Sequence, residues 1–212
     1  MAVLQTRGYG AEKGIGMAVR KIIRMGHPLL RQKARPVTQE EFHSGAFRRL
    51  LADMRDTLHD YGGIGLAAPQ IAESLRLALL KLPGGPSRYG ELPDLPLTVF
   101  VNPQLEVLDP ATAGYWEGCL SVPGLRGYVE RPQHIRVRSL DAQGNPMEMT
   151  FRGFAATVFQ HEFDHLDGIL YIDRLSNPER LAFDEEYERY ILPAQAPGEP
   201  GPASPATGGP SA

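Results

Sequence analysis

The sequence predicts an α+β fold in which antiparallel strands pack around one central helix, and three observations predict it. Residues 154–168, FAATVFQHEFDHLDG, carry apolar side chains around most of a helical circumference, as a helix inside a core does. The stretch 135–151 reads IRVRSL, a turn around Asp141-Ala142-Gln143-Gly144-Asn145, then MEMTF, which is the pattern of a hairpin. LRLALLKL (75–82) and LTVFVNP (97–103) read as further strands.

Taken in order, MAVLQTRGYGAEKGIG lacks the apolar run of a secretory leader, and residues 1–16 are expected to be a flexible N-terminal extension, with Met17 a second possible start. Structure is expected to begin with AVRKIIRMGHPLL. Phe47, Leu50, Leu51, Met54 and Leu58 fall at helical spacing, with Ser44 as N-cap and Gly62-Gly63 as the stop, so a helix runs over 47–58. GIGLAAPQ is too rich in glycine, and too interrupted by Pro69, for a regular element. Gly153 opens the central helix and Gly168 ends it. A last helix is expected from about Asn177 to Leu192, with Ser176 and Glu179 spaced as a capping box. Residues 193–212 are dominated by Pro, Gly and Ala, with no larger hydrophobic residue. Such a tail buries no core and is expected to be disordered. One domain, residues 17–192, remains.

The chain has 212 residues, 42% hydrophobic and 22% charged, with a formal charge of -3. That balance gives no basic surface for sequence-specific nucleic-acid binding, and no apolar run is long enough to span a membrane. Cys119 is the single cysteine, so no intramolecular disulfide forms, and a reducing compartment is expected.

The central helix carries His161, Glu162 and His165 in the spacing H-E-x-x-H. Positions four apart share a helical face, so both imidazoles can reach one ion, and the carboxylate between them can take a proton from water on it. A third ligand is needed. Gly168 fits the extended pattern that ends in a further histidine, but the last position is Tyr171, which removes that route. Glu185 and Glu186 lie at a workable distance downstream. Cys119, within WEGCLSVPG, offers a thiolate, and one thiolate with two imidazoles leaves a position open for water. Spacing alone does not choose between the glutamates and the cysteine.

GIGLAAPQ (63–70), EGCLS (117–121) and QHEFDH (160–165) occur in this order, and together they resemble the three signature motifs of the peptide deformylases, over roughly residues 17–175. The resemblance implies that 17–192 is a deformylase-like catalytic domain. It implies that Cys119, His161 and His165 hold one divalent ion with water as fourth ligand. Iron(II) is the expected physiological ion, with zinc, nickel or cobalt as substitutes. Glu162 would be the general base and then the acid. The Gln70 amide and the Leu120 backbone N–H would stabilise the developing oxyanion. Gly63, Ile64 and Gly65 would pair with the substrate main chain, and Ile64, Tyr115, Phe154 and Val158 would line an apolar pocket. Glu117 and Arg131 would form a supporting ion pair.

The implied substrates are N-formyl-methionyl nascent peptides. A bacterial-type cytoplasm, a monomer and a transient ribosome contact are expected. Three rival readings share some of these residues: an endopeptidase using Glu185 or Glu186, a metal-binding module without activity, and a deacylase for other N-acyl groups. His27, His43, His59 and His134 have no partner pattern and are expected on the surface.

Overall fold

Leu77, Ala78, Leu79 and Leu80 are consecutive in one strand and all completely buried. Successive strand residues point to opposite faces, so both faces of this sheet must be covered. The computed structural model, which describes residues 18–194, shows what covers them.

Strands β1 (Gly65–Ala67), β2 (Leu77–Ser87), β3 (Gly90–Cys119), β4 (Val122–Leu140) and β5 (Pro146–Arg152) form an antiparallel sheet in that order, and β6 (Leu181–Phe183) pairs with β4. The helices are α1 (Gln39–Phe42), α2 (Gly45–Tyr61), α3 (Gly153–Leu166) and α4 (Asp184–Glu186). Ala78 and Leu80 join Phe100, Ile135, Val137 and Phe151 in a core shared with Ala155, Ala156, Phe159 and Phe163 of α3. Leu77 and Leu79 join Val99 and Val101 in a second core with Phe47, Leu51, Met54 and Leu58 of α2. Each fully buried Leu or Phe contributes roughly 1.5–3 kcal/mol, so the two helices are fixed against opposite faces. The α+β class holds, with a second covering helix that the sequence pattern placed but did not orient.

Helix α2 starts where Ser44 Oγ accepts the Phe47 N–H (3.0 Å) and ends at Gly62, in the left-handed region. The hairpin over 135–151 is β4 and β5, with Ile135 opposite Phe151. Elsewhere the strands outrun their local patterns. The 97–103 strand is part of β3, which extends from Gly90 to Cys119 through Pro93, Pro96, Pro103 and Pro110. Register shifts along its pairing with β4, between Val101 and Gln104 and again near Asp109, accommodate the interruptions, as bulges do. Asn102, at φ 51, makes one of these bends. Its side-chain amide exchanges two hydrogen bonds with the backbone of Val37 (2.8 and 2.9 Å).

Two expectations need correction. GIGLAAPQ does contain regular structure: Gly65–Ala67 pair with Leu80–Ala78, and Ala68–Ile71 form a 3-10 turn. Burial against β2 overrides the poor local propensity. The predicted helix 177–192 is broken. Pro178–Arg180 form a 3-10 turn capped by Asn177, not Ser176, and Leu181–Phe183 bond to Leu125–Gly127 as β6. Helical structure resumes in α4, a π-helical turn, Tyr187–Ile191, and a 3-10 turn, Leu192–Ala194. Sheet pairing with β4 satisfies the backbone there. The expected N-terminal extension (1–16), Met17 and the tail from 195 onward lie outside the described residues. No helix among the described residues is long and apolar enough to cross a membrane.

Two glycines that end helices give a test. Gly62 (φ +67) has open space where a Cβ would sit, whereas at Gly168 (φ +74) a Cβ would lie 2.7 Å from the Arg31 carbonyl carbon. Gly62→Ala is expected to cost about 1 kcal/mol, the conformational penalty alone. Gly168→Ala adds a backbone clash and is expected to cost roughly 3 kcal/mol. Urea denaturation of both variants checks the ordering, and equal costs would contradict the packing described at Gly168.

Candidate metal centre

Cys119 is the last residue of β3 and pairs with Val122 across a tight turn made by Leu120 and Ser121. The turn delivers its sulfur to the buried face of α3. There the His161 and His165 rings lie 5.2 Å apart, one turn from each other. Cys119 Sγ is 3.3 Å from His165 Nε2, and the three ligand atoms lie within 4.8 Å of one another. A tetrahedral ion with bonds near 2.0–2.3 Å holds its ligand atoms roughly 3.3–3.6 Å apart, so the cluster fits a divalent ion with modest closure. Among the described residues it is the only such group of three. Glu185 and Glu186 are exposed on α4 and take no part. Tyr171, which occupies the place of a further histidine, stacks on the His161 ring instead (6.0 Å between centroids).

The donor chemistry also fits. Burial alone would push the Cys119 thiol up, but the adjacent His165 and His161 outweigh it and hold the thiol well below its ordinary value. A thiolate is the form that binds metal. His161 Nδ1 lies 2.7 Å from Glu117 Oε2, so Nδ1 carries the proton and Nε2 is left as the ligand atom.

Glu117 is itself held. The Arg131 guanidinium forks onto it through Nε (2.6 Å) and a terminal nitrogen (3.1 Å), and its other terminal nitrogen reaches Asp164 (2.7 Å). Asp164 also takes two bonds from Arg174 (2.6 and 3.1 Å). Burial opposes ionisation of Glu117, but His161 and Arg131 prevail and keep its carboxyl below the usual range. Asp164 and Arg174 were not anticipated. Asp164 lies inside QHEFDH, three residues after His161, and that adjacency was the available signal. Arg174 offered none.

Gln70 is buried on the 3-10 turn after β1, with its amide orientation fixed at both ends. Its Oε1 accepts the Ala67 N–H (2.8 Å), while its Nε2 lies 3.3 Å from Ser121 Oγ and 3.6 Å from Cys119 Sγ. Ser121 is a further residue that sequence reasoning missed. Glu162 is buried beside the ligands, and one of its oxygens, Oε2, has no hydrogen-bond partner. Burial raises its pKa, with the neighbouring histidines pulling the other way. A raised carboxyl pKa suits a group that must both take and return a proton. A Cβ on Gly65 would lie 2.4 Å from the Glu162 carboxyl, so this glycine makes the room Glu162 occupies.

Gly63 has the Leu58 and Leu120 side chains beside it, and Ile64 is 37% exposed. Of the suggested pocket residues, Tyr115 and Val158 are buried and Phe154 is half-buried. Tyr115 and Phe154 pack with Tyr89 as three mutually contacting rings. Of the histidines assigned to the surface, His43 and His59 are exposed, but His27 and His134 are half-buried. The His27 ring accepts the Leu29 N–H (3.3 Å) and caps the turn Pro28–Arg31.

The chain is similar to known proteins over most of its length. The family model described as Polypeptide deformylase matches residues 19–181. A peptide deformylase of Leptospira biflexa is 41% identical over 172 residues, covering 81% of this chain and 96% of the relative. Peptide deformylase 2 of Pseudomonas syringae pv. tomato is 44% identical over 165 residues, covering 78% and 92%. A solved structure of a class I type b peptide deformylase from Acinetobacter baumannii with Met-Ala-Ser bound superposes with a TM-score of 0.69 at 36% identity, covering 74% of this chain and 99% of that one.

The Glu117–His161 bond yields a prediction. Glu117→Gln keeps the shape but loses the charge that orients the imidazole, and a partner of this kind is typically worth 10–100-fold in metal affinity. Competition against a chromophoric chelator is expected to show weakening in that range. An unchanged affinity would mean that Glu117 does not set the His161 ring.

Proposed function

The chain belongs to the peptide deformylase family, metal-dependent hydrolases that remove the N-formyl group from nascent polypeptides, and from that premise we propose how its own residues perform the reaction. Cys119, His161 and His165 hold the ion. When bound, it supplies the Lewis acidity that makes water nucleophilic near neutral pH and polarises a carbonyl. The observation that carries the reading is convergence: Glu162 and the Gln70 amide come from different elements and meet at the thiol–imidazole cluster. A structural metal site would need neither.

Water adds to the formyl carbon, and Glu162 takes the proton it releases. The C–N bond then breaks, the proton passes to the departing amine, and formate leaves. Charge gathers on the former carbonyl oxygen during the attack, and the Gln70 Nε2–H and the Leu120 backbone N–H are assigned to it. Gln70 suits this role because Ala67 fixes the oxygen end of its amide, so the N–H end faces the cluster. Fixed donors stabilise charge without reorganising. Gly63, Ile64 and Gly65, at the free edge of β1, pair with the substrate main chain as an added strand would.

The substrates are N-formyl-methionyl peptides. We assign iron(II) as the physiological ion, on the resemblance, with zinc, nickel or cobalt able to replace it because one thiolate and two imidazoles suit several divalent ions. A monomer acting in a bacterial-type cytoplasm, in transient contact with the ribosome, completes the reading.

Formate release from formyl-Met-Ala-Ser by protein purified without oxygen is the direct test. Rapid release is expected, lost in Glu162→Ala and absent with the acetyl peptide. Gln70→Ala should lower kcat about 10²–10³-fold with metal content unchanged. No release by the metal-loaded wild type would overturn the reading. Gly65→Ala should retain the metal yet lose most activity, since its Cβ displaces the Glu162 carboxyl. Full activity in that variant would remove Glu162 from the proton path.

A further inference from the structure

The stretch Arg20–His27 lies across the two turns that carry Gln70 and Leu120, and its backbone is bonded to both. The Ile23 N–H donates to the carbonyl of Gln70 (2.9 Å), and the Met25 N–H donates to the carbonyl of Ser121 (2.7 Å). The upstream end of this stretch is anchored independently. The Arg20 N–H donates to Thr57 Oγ1 on α2 (2.8 Å), and its guanidinium pairs with Asp53 (3.1 Å) and Glu73 (2.8 Å). Ile22 is buried in the core under α2. The segment thus runs from a fixed helix to the Gln70 turn and on to the Leu120–Ser121 turn.

We infer that this segment is a positioning strap, and that the Met25 backbone N–H is the positioning donor that sets the Leu120–Ser121 turn against Gln70. The inference rests on the reading that the Gln70 amide and the Leu120 N–H share one developing oxyanion. Two donors from separate elements act together only if their separation is fixed, and misplacement by about 1 Å can cost on the order of 10²-fold in rate. Gln70 and Ser121 already meet side chain to side chain, at 3.3 Å. That contact is long and has rotational freedom at the hydroxyl. The strap adds a second tie, through backbone, to the same two residues.

The local geometry supplies a clean variant. Met25 is the second residue of a turn closed by the His27 N–H and the Arg24 carbonyl (3.0 Å), with Gly26 third at φ +104. A positive φ at the third position is the type II pattern, in which proline is favoured at the second. Met25→Pro therefore preserves the turn while deleting the N–H. The Met25 side chain is 43% exposed, so its loss removes little packing, and Met25→Ala controls for that.

The experiment measures kcat and KM for formyl-Met-Ala-Ser with wild type, Met25→Ala and Met25→Pro, together with metal content and Tm. A fourth protein carries the α-hydroxy acid analogue of methionine at position 25, which replaces only the N–H by oxygen. Met25→Pro and the hydroxy-acid protein are expected to lose kcat by about ten- to a hundredfold relative to Met25→Ala, with KM within about twofold and metal content and Tm near wild type. A kcat within about twofold of Met25→Ala in both proteins would overturn the strap and leave the deformylase reading intact. So would a loss that tracks falling metal content or Tm in the hydroxy-acid protein, because that marks a merely structural tie. An inactive wild type would overturn the deformylase reading, and the strap's role with it.

Discussion

One guanidinium between two carboxylates organises the centre. Arg131 stands on β4, Glu117 on β3 and Asp164 on α3, so their two ion pairs join three elements at a single buried point. Each carboxylate is next to a ligand in the chain. Glu117 lies two positions before Cys119, on the same face of β3, and Asp164 precedes His165 directly. Fixing one cation therefore fixes both elements that present ligands. Removing one member of a buried pair typically costs about 3–5 kcal/mol, because the partner is left charged and unsolvated. Arg174 balances the second carboxylate from the more exposed side, so two guanidiniums face two carboxylates. With an ion bound at Nε2, the one remaining ring proton of His161 points at Glu117.

This polar assembly stands directly on an apolar one, and each constrains the other. The face of α3 opposite the ligands carries Ala155, Ala156, Phe159 and Phe163. The two alanines let the helix approach the sheet closely, while Phe159 stacks on Phe151 (3.9 Å) and meets Phe100 edge to face (5.2 Å). Close-packed side chains of this kind leave little freedom to rotate the helix. A rotation large enough to move His161 from Glu117 would also expose part of this core. The histidines are thus positioned twice, by apolar packing behind and by ion pairing in front.

What was legible in the sequence was local. The α2 and α3 periodicities, the 135–151 hairpin and the two histidines each depend on residues within a turn or two of one another, and each was readable. β3 was legible only over 97–103, because the prolines beyond that stretch interrupt the pattern until the pairing with β4 is seen. The stretch 177–192 failed for the same reason: its Ser176–Glu179 spacing suits a helix start, yet Leu181–Phe183 find a remote partner in Leu125–Gly127. The site divides likewise. H-E-x-x-H was visible at once, whereas Cys119 is 46 residues from His165 and spacing could not choose it over Glu185 or Glu186. Resemblance selected it, and the fold brings it to the histidines. Asp164 stood inside a quoted motif without a role, since its partner Arg131 is 33 residues away.

The three motifs occur together for a packing reason that none of them shows alone. Gly65 admits the Glu162 carboxyl into a space that any side chain would fill. Gln70 is oriented by Ala67 within its own motif and by Ser121 from the second. Glu117, in the second motif, orients His161 in the third. The first motif makes room for the third, the second aims the first, and the second aligns the third. Glu162 sits buried with Oε2 unpartnered, a cost that a fold carries where a reactive group is needed and other interactions offset it. Here the offset lies in the adjacent charge network and the two cores. A glutamate this exposed to its neighbours' charge and this hidden from solvent is set apart from every other carboxylate at the centre, since Glu117 and Asp164 are held by guanidiniums and it is not. The same helix thus presents one acid held by two guanidiniums and another left free to exchange a proton.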